Sequence, residues 1–195
     1  AKFRILDYTG NNSNRWAAFN IETIHGYHAA KLDLYNKLLT QVRNKGYYPK
    51  GLLQMLNVKY IIHNQRGDIP FFTVKDNKYK MNYFYSNPDE LKTIETYIYE
   101  NNEFIDRIFI TKEINLVDND DEILDKIISD SFNPTLKSYI NLNYLTDEQL
   151  LLVKDIQESN NSSVEIIEWK PDKIEFMTKT DKSQMILLSE IYYPG

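Results

Sequence analysis

The chain has 195 residues, which is enough for one domain with a hydrophobic core, and 42% of its residues are hydrophobic. Its 23 basic and 28 acidic residues are interspersed and give a net charge of −5, so no basic stripe marks a nucleic-acid-binding surface. The absence of cysteine excludes disulfides, thiol nucleophiles and cysteine-ligated metals, and no apolar run approaches the roughly 18–20 residues that span a bilayer.

The first third of the chain predicts two strands and two helices. Phe3–Leu6 has the apolar pattern of a short strand, and a helix is expected over His28–Arg43. The apolar face of that helix is formed by His28, Leu32, Tyr35, Leu39 and Val42. Gly46 stands where a C-terminal cap is expected, and Gly51–Asn57 predicts a short helix that leads into the strand Val58–Ile62.

The middle of the chain predicts a hairpin followed by a helix. Phe71–Lys75 and Tyr79–Tyr85 have the composition of strands and flank the turn signal Asp76-Asn77. Asn87-Pro88-Asp89-Glu90 combines a cap residue, a proline at the first helical position and two acids near the positive end of the helix dipole. This pattern predicts a helix that runs to about Glu100.

The rest of the chain predicts two more helices among several strands. The acidic segment Asp118–Glu122 precedes a helix, and Thr146–Gln149 forms a capping box for a helix to about Gln157. Strands are predicted at Arg107–Thr111, Leu136–Leu142, Val164–Trp169, Ile174–Thr178 and Met185–Tyr192. The spacing of the last three strands predicts an antiparallel meander.

Together these elements predict an α+β fold, with helices packed on a mixed or antiparallel sheet. The C-terminal antiparallel β meander could form one sheet of a sandwich. We expect a single domain over residues 1–195, with an α/β-rich part over 1–135 and a β-rich part over 136–195.

The segment Ile24–Lys31 is the strongest local candidate for a binding site. Gly26 permits a tight backbone turn just before the predicted helix, and Tyr27, His28 and Lys31 crowd its first turn. Helix N-termini favour anions, and tyrosine with histidine suits a phosphate or a sugar. The alternative is a purely structural helix entry, in which Tyr27 packs as a staple and His28 is buried.

Tyrosine is unusually frequent in this chain. There are 15 Tyr, 9 Phe and 2 Trp, and tyrosine-rich surfaces suit polar ligands because the ring packs while the hydroxyl stays hydrated. A genomic bias toward Tyr, Asn, Ile and Lys is the simpler explanation of the same numbers.

No catalytic, metal or cofactor site is expected from the sequence. His25 and His28 have helical spacing, but a metal site would need a third ligand and groups that orient the ligands. Asp118–Glu122 resembles the start of a calcium loop, yet lacks both the glycine of its sharp turn and the bidentate glutamate at its end. A phosphate-binding glycine loop, a serine nucleophile elbow and an HExxH pattern are also missing from the sequence.

The last predicted strand, Met185–Tyr192, is apolar on both faces. Strands of this kind lie in the middle of a sheet or between layers, so we expect a central position in the C-terminal sheet. The sequence then stops at Pro194-Gly195, where a turn should begin. We therefore expect the chain to be a piece of a longer protein, with Gly195 exposed.

Several segments resemble the C-terminal soluble region of YfhO-type bacterial membrane proteins. They include, in order, Phe3–Leu6, Thr23–Leu32, Leu53–Ile62 and Leu187–Gly195, with the strings GYHAAKL, MLNVKYII and SEIYYPG. Their order and spacing fit that family across nearly the whole chain. Within these strings Gly26, Tyr60, Tyr192 and Tyr193 are expected to have structural roles.

The resemblance implies a large polytopic membrane protein related to lipid-linked-sugar glycosyltransferases of the GT-C type. In such enzymes an acidic residue in an early extracytoplasmic loop performs the chemistry with a polyprenyl-phosphate sugar donor, and that loop would lie upstream of this chain. This chain is then expected to be an extracytoplasmic domain, anchored by flanking transmembrane helices, of an enzyme that acts on a cell-envelope polymer.

The same resemblance implies a role for the domain itself. It would bind an envelope glycan or lipid-linked sugar, or shape the active-site cleft, without itself performing catalysis. A non-catalytic scaffold in an envelope assembly complex is the alternative.

Overall fold

The computed structural model describes residues 3–9, 15–25, 33–84, 91–159, 161–170 and 173–190. Contacts divide the chain into two compact units, each built from two stretches of sequence. The first unit comprises Phe3–Ala29 and Asn57–Phe104, and the second comprises Ala30–Leu56 and Ile105–Gly195.

The first unit is built on a five-stranded mixed sheet. Its strands are β1 (Arg4–Asp7), β2 (Glu22–Thr23), β3 (Val58–His63), β4 (Phe72–Phe84) and β5 (Leu91–Asn101). They are ordered β2-β1-β3-β5-β4, with β1 parallel to both β2 and β3, and with antiparallel pairs elsewhere. A short 3-10 helix, Arg15–Phe19, lies in the connection between β1 and β2.

β3 is the apolar strand that joins the parallel and antiparallel halves of this sheet. Val58, Ile61 and Ile62 are buried, together with Ile5 and Leu6 of β1. Burying each of these side chains contributes about 1.5–3 kcal/mol relative to leaving it exposed. The strands predicted at Phe3–Leu6 and Val58–Ile62 are confirmed.

The structure corrects two predictions in the middle of the chain. Phe72–Phe84 is one strand rather than a hairpin about Asp76-Asn77, and Leu91–Asn101 is a strand rather than a helix. The two strands pair with each other in antiparallel register. The physical reason lies in β5, where the β-branched or aromatic residues Thr93, Ile94, Thr96, Tyr97, Ile98 and Tyr99 favour a strand. Burial of Thr96, Tyr97 and Tyr99 outweighs the helix-start pattern at 87–90.

Within the described residues, the second unit combines four α-helices and a short 3-10 helix, Leu142–Tyr144, with three pairs of strands. The helices are α1 (Asp33–Lys45), α2 (Lys50–Met55), α3 (Asp120–Ile127) and α4 (Asp147–Lys154). The strands are β6 (Ile108–Thr111), β7 (Glu113–Val117), β8 (Lys137–Asn141), β9 (Ser163–Lys170), β10 (Lys173–Lys179) and β11 (Met185–Leu188). β7 and β8 are parallel, whereas β9 with β10 and β6 with β11 are antiparallel.

Local signals place the ends of the helices in this unit. Gly46 follows α1 with a φ of +85° and donates its N–H to the Val42 carbonyl, as expected of a C-terminal glycine cap. Asn119 caps α3 by accepting from the Glu122 N–H at 2.9 Å. Thr146 and Gln149 form the predicted capping box at the start of α4.

A close backbone approach joins α2 to the loop after α3. A Cβ added to Gly51 would overlap the carbonyl group of Phe132, so only glycine fits at this position. Leu52 and Leu53 of α2 are buried, as are Leu124 of α3 and Phe132 itself.

The C-terminal meander is corrected in part. β9 and β10 pair as predicted, but β11 pairs with β6 and not with β10. The expected central position of the last strand is therefore wrong for Met185–Leu188, which lies in a two-stranded pair. Its first three side chains are half-buried and Leu188 is 41% exposed. Tyr192, Tyr193 and Gly195 lie outside the described residues.

The predicted α+β class is confirmed, with a mixed sheet and antiparallel strand pairs. Among the described helices α1 is the longest at 13 residues, and none in that part of the chain has the length and apolarity needed to cross a membrane.

Candidate ligand site at the carboxyl edge of the parallel strands

Most of the residues singled out in the sequence lie outside the described part of the chain. Gly26, Tyr27, His28 and Lys31 are in this group, so their proposed roles stay predictions. Tyr60 is described, and it packs edge-on against Phe3 with ring centroids 5.3 Å apart. This contact between aromatic rings joins β3 to Phe3, the residue that precedes β1.

The residues of the predicted site come, in sequence, just after an edge of the sheet that the structure describes. β2 ends at Thr23, and the described chain continues to His25. The Ile24 N–H donates to the Ile5 carbonyl of β1 at 3.1 Å. Because β2 runs parallel to β1, the chain leaves β2 at the edge where β1 also ends. Tyr27, His28 and Lys31 follow in sequence directly after that point.

β1 and β3 are adjacent parallel strands whose connections lead in opposite directions. The chain goes from β1 to β2 on one side, and from β3 to β4 on the other side of the sheet. Ligands of open α/β sheets bind at such a switch point, in the crevice outside the carboxyl ends of the strands. The ends of β1 and β3 are therefore the place in this unit to look for a binding site.

The side chains at these two strand ends are in contact. Tyr8 comes directly after β1, and its ring lies 5.3 Å from the ring of His63, the last residue of β3, at an interplanar angle of 51°. The Tyr8 N–H donates to the Ile62 carbonyl at 2.8 Å, which extends the pairing of β1 with β3. Tyr8 remains 43% exposed, so one part of its ring is available to a ligand.

The surroundings of Tyr8 and His63 determine which of their polar atoms can donate a hydrogen bond. Partial burial raises the pKa of the Tyr8 phenol above its ordinary value, so the hydroxyl stays protonated and can donate. The Gln65 N–H donates to Nδ1 of His63 at 2.9 Å. Because Nδ1 accepts this bond, the ring N–H of His63 is on Nε2, where it can serve as a second donor.

Asp7, the last residue of β1, holds Thr9 and Trp16, which follow it in the chain. Its Oδ1 accepts hydrogen bonds from the N–H of Thr9 at 2.8 Å and from the Thr9 hydroxyl at 2.7 Å. Its Oδ2 accepts from the indole Nε1 of Trp16 at 2.5 Å. The buried carboxylate is thus engaged in holding the loop and the Trp16 ring.

The loop after β3 is held by a second buried group. The Tyr99 side chain of β5 is 1% exposed; its hydroxyl accepts from the Gly67 N–H at 2.9 Å and donates to the Gln65 carbonyl at 3.2 Å. Because the Gln65 N–H also donates to Nδ1 of His63, the same network holds the imidazole ring in place. Thr9 and Trp16 after β1, and Gln65 and Gly67 after β3, are therefore held in place by buried hydrogen-bonding groups.

Taken together, the carboxyl edge offers aromatic faces and neutral hydrogen-bond donors on an ordered frame. Tyr8, Trp16 and His63 supply rings, while the Tyr8 hydroxyl and the His63 Nε2–H supply donors. We name this group the β1–β3 edge site. Such a set suits non-covalent binding of a hydroxyl-rich molecule, whose apolar face stacks on rings while its hydroxyls bond at the side.

The sequence reading missed Tyr8, Trp16 and His63. Both Leu6-Asp7-Tyr8 and Ile61-Ile62-His63 place a polar or aromatic residue directly after a buried apolar stretch. That pattern would have pointed to the carboxyl ends of two strands. The parallel pairing of the strands, which brings the ends together, is a property of the tertiary structure.

The second unit contains an ion pair between a buried arginine and a partly exposed glutamate, and its role is structural. Arg107 is 1% exposed, its guanidinium lies 2.7 Å from Glu190 Oε1 and 5.0 Å from the centroid of the Trp169 ring. Ser189 donates its N–H to the Arg107 carbonyl and its hydroxyl to the Met55 carbonyl. Ser189 and Glu190, the first two residues of the SEIYYPG string, therefore bind the chain after β11 to Arg107 and to Met55 at the end of α2.

The acidic segment Asp118–Glu122 forms the start of α3. Hydrogen bonds from Asn141 and Tyr144 lower the pKa of Asp120 below its ordinary value. Within the described residues, no group of three or more histidine, aspartate or glutamate side chains is arranged to hold a metal ion.

Comparison with protein-family models, with curated proteins and with solved structures finds no match to this chain. The resemblance to YfhO-type proteins therefore stays a prediction from the sequence segments that suggest it.

Proposed function

We propose that this chain is a ligand-binding, extracytoplasmic domain of a bacterial membrane protein related to GT-C glycosyltransferases. Its ligand is a hydroxyl-rich envelope glycan or the glycan part of a lipid-linked sugar, held at the β1–β3 edge site. The chemistry belongs to another part of the full-length protein. The observation that carries the binding role is the contact of Tyr8 with His63 at the ends of two adjacent parallel strands.

The chemistry of the β1–β3 edge site supports a sugar over other ligands. A pyranose has an apolar face that packs on an aromatic ring and equatorial hydroxyls that accept from neutral donors. A tyrosine hydroxyl and an imidazole N–H match these hydroxyls without a charge. The membrane part of the proposal rests on the resemblance alone.

Titration of the chain with soluble fragments of envelope polymers tests the binding role. The chain has two tryptophans, so a Trp169→Phe variant leaves Trp16, one of the rings of the site, as the only tryptophan reporter under excitation selective for tryptophan. We expect a ligand to change Trp16 emission and the amide NMR signals of Tyr8 and His63. Tyr8→Ala and His63→Ala should each weaken binding about tenfold, as truncation of a central contact residue does.

Tyr144→Ala is the matched control, because Tyr144 is 69% exposed and belongs to the second unit. It should leave the affinity unchanged. Absence of binding to neutral oligosaccharides and to polyol-phosphate polymers alike would contradict the binding role. Turnover of a glycoside by the isolated chain would instead show that the domain itself is catalytic.

The intact gene tests the membrane part independently. We expect it to encode hydrophobic membrane spans that flank this domain. A gene without them would contradict the membrane assignment, whatever the outcome of the titration.

A scaffold or interaction domain in an envelope complex is the second candidate. It is favoured by large apolar side chains exposed in the second unit: Leu151 at 68%, Leu152 at 70%, Met177 at 58% and Ile167 at 55%. Leu151 and Leu152 are adjacent on α4, and exposed apolar residues that lie together often mark protein contacts. Lack of glycan binding combined with a defined protein complex would favour this role.

A further inference from the structure

The β9–β10 ribbon has two chemically different faces. The cross-strand pairs Ile174–Trp169, Phe176–Ile166 and Thr178–Val164 form a mainly apolar face. The pairs Lys173–Lys170, Glu175–Glu168 and Met177–Glu165 form a charged face around one methionine. The Lys173 ammonium bonds Glu168 and Glu175 on that face, at 2.9 and 2.6 Å.

β10 is an edge strand. Among the described strands it pairs only with β9, and all seven of its residues are exposed. An edge strand presents unpaired backbone N–H and C=O groups that can form a ladder with another strand. Met177 near its centre is 58% exposed, although it is an apolar side chain.

We propose that β10 pairs in antiparallel register with β10 of a second copy of this chain, with the two-fold axis at Met177. The two ribbons would then form one four-stranded sheet across the dimer. This assembly is separate from the proposed glycan-binding role and does not depend on it.

The faces of the ribbon restrict the possible registers. Opposite residues of an antiparallel pair point to the same side of the sheet. A two-fold axis centred on a residue therefore joins the apolar faces of the two copies into one surface. An axis between two residues would instead place the apolar face of one copy beside the charged face of the other.

Charge and the length of the overlap select one register from those that remain. An axis at Glu175 would place this glutamate opposite itself, and an axis at Phe176 would place Lys173 opposite Lys179. An axis at Ile174 would pair Lys173 with Glu175, but only residues 173–175 of the two strands would then overlap, and an axis at Thr178 would overlap only residues 177–179. An axis at Met177 places Glu175 opposite Lys179 twice, once on each side of the axis. Met177 then faces Met177, and Phe176 faces Thr178 on the apolar side. Opposite charges across a ladder stabilise it, whereas like charges destabilise it by similar amounts.

The symmetry of this contact limits the assembly to two copies. Each copy uses the same edge, so pairing covers the exposed backbone of both β10 strands and leaves no equivalent edge free. Among the described residues, the ion pairs of the ribbon are made by Lys170 and Lys173. Lys179 is therefore available for the ion pair with Glu175 of the second copy.

Charge reversal with rescue tests the register. We expect concentration-dependent dimers of the full chain in sedimentation equilibrium. Glu175→Lys and Lys179→Glu should each weaken dimerisation by about tenfold or more, because each converts two opposite-charge contacts into like-charge contacts. The double variant Glu175→Lys/Lys179→Glu should restore the dimer, since the charges match again. Asp125→Lys is the control, because it reverses an exposed charge on α3 away from the ribbon.

A covalent trap gives a second measurement. The chain has no cysteine, so Met177→Cys introduces a single thiol at the proposed axis. Facing residues in an antiparallel ladder bring their Cα atoms to about 4.5–5.5 Å, within the range of a disulfide. Under mild oxidation Met177→Cys should give a linked dimer, whereas Leu151→Cys, which is 68% exposed on α4, should remain largely unlinked.

Several outcomes would overturn the inference. A folded chain that stays monomeric at about 1 mM would refute the interface, because a four-stranded sheet formed across two copies should have a Kd below that concentration. A dimer that neither charge reversal weakens uses another surface. A double variant that does not recover, with a normal circular dichroism spectrum, would refute the register at Met177.

Discussion

At the scale of single residues, the candidate site depends on buried polar groups that hold exposed ones. Asp7 receives three hydrogen bonds from Thr9 and Trp16, and Tyr99 bonds both Gly67 and Gln65. Neither Asp7 nor Tyr99 needs to contact a ligand. They fix the loops that carry the rings, which lowers the entropy lost when a ligand is bound.

Replacing Asp7 with alanine should destabilise the first unit. The Thr9 N–H and the Trp16 indole N–H would lose their acceptor, and leaving such donors unsatisfied costs about 1–3 kcal/mol. Denaturant unfolding, followed through Trp16 in the Trp169→Phe background, measures the change. Asp68→Ala, at an exposed position of the same unit, is the control and should lie within about 0.5 kcal/mol of the parent. Equal stability of the two variants would show that Asp7 does not hold the loop.

At the scale of elements, short-range signals and tertiary contacts compete. α1 and α4 end or begin where their glycine cap and capping box predict. β5 shows the opposite case, because a helix-start pattern precedes residues that form a strand. Its pairing with both β3 and β4 satisfies the backbone of β5 on both sides, which no local signal can report.

The approach of α2 to Phe132 gives a prediction at this scale. Gly51→Ala would gain about 1 kcal/mol of helix propensity, yet its methyl group would overlap the Phe132 carbonyl. Because backbone atoms must move, we expect a net loss of about 1–3 kcal/mol, as in other overpacked sites. Thermal unfolding monitored by circular dichroism measures it.

Gly67→Ala is the control for this substitution. Nothing lies within 4 Å of a Cβ built at Gly67, so the variant should be neutral or slightly stabilised. If Gly51→Ala were as stable as Gly67→Ala, the close packing of α2 on Phe132 would be wrong.

At the scale of the whole molecule, the chain forms two units that are each discontinuous in sequence. The first unit has its core between β1, β3 and β5, around Leu6, Val58 and Tyr99. The second has a core of its own that includes Val42, Leu52, Leu124 and Phe132. Each core buries apolar side chains contributed by both of its stretches of sequence.

Native-state hydrogen exchange should therefore find slow amides in both units. We expect one group in β3 and β5, and another in α2 and β6, because these elements contain buried backbone hydrogen bonds next to the two cores. Mass spectrometry of peptic fragments resolves the groups. Slow exchange confined to one unit would show that only one core is stable.

The sequence by itself determined the elements whose signals are local. Periodicity and caps place α1, α2, α3 and α4, and apolar runs place β1, β3 and β9 close to their observed positions. These signals act between residues a few positions apart, so a reading along the chain can detect them. The α+β class follows from the same elements.

Only the tertiary structure decided which strands pair and which side chains meet. β11 pairs with β6 and not with its neighbour β10, and this leaves β10 as an edge. Tyr8 and His63 come together because β1 and β3 are parallel, although neither residue carries a recognisable motif. Strand pairing satisfies backbone groups from distant segments and buries apolar faces jointly, so the free energy that selects it is absent from any single segment.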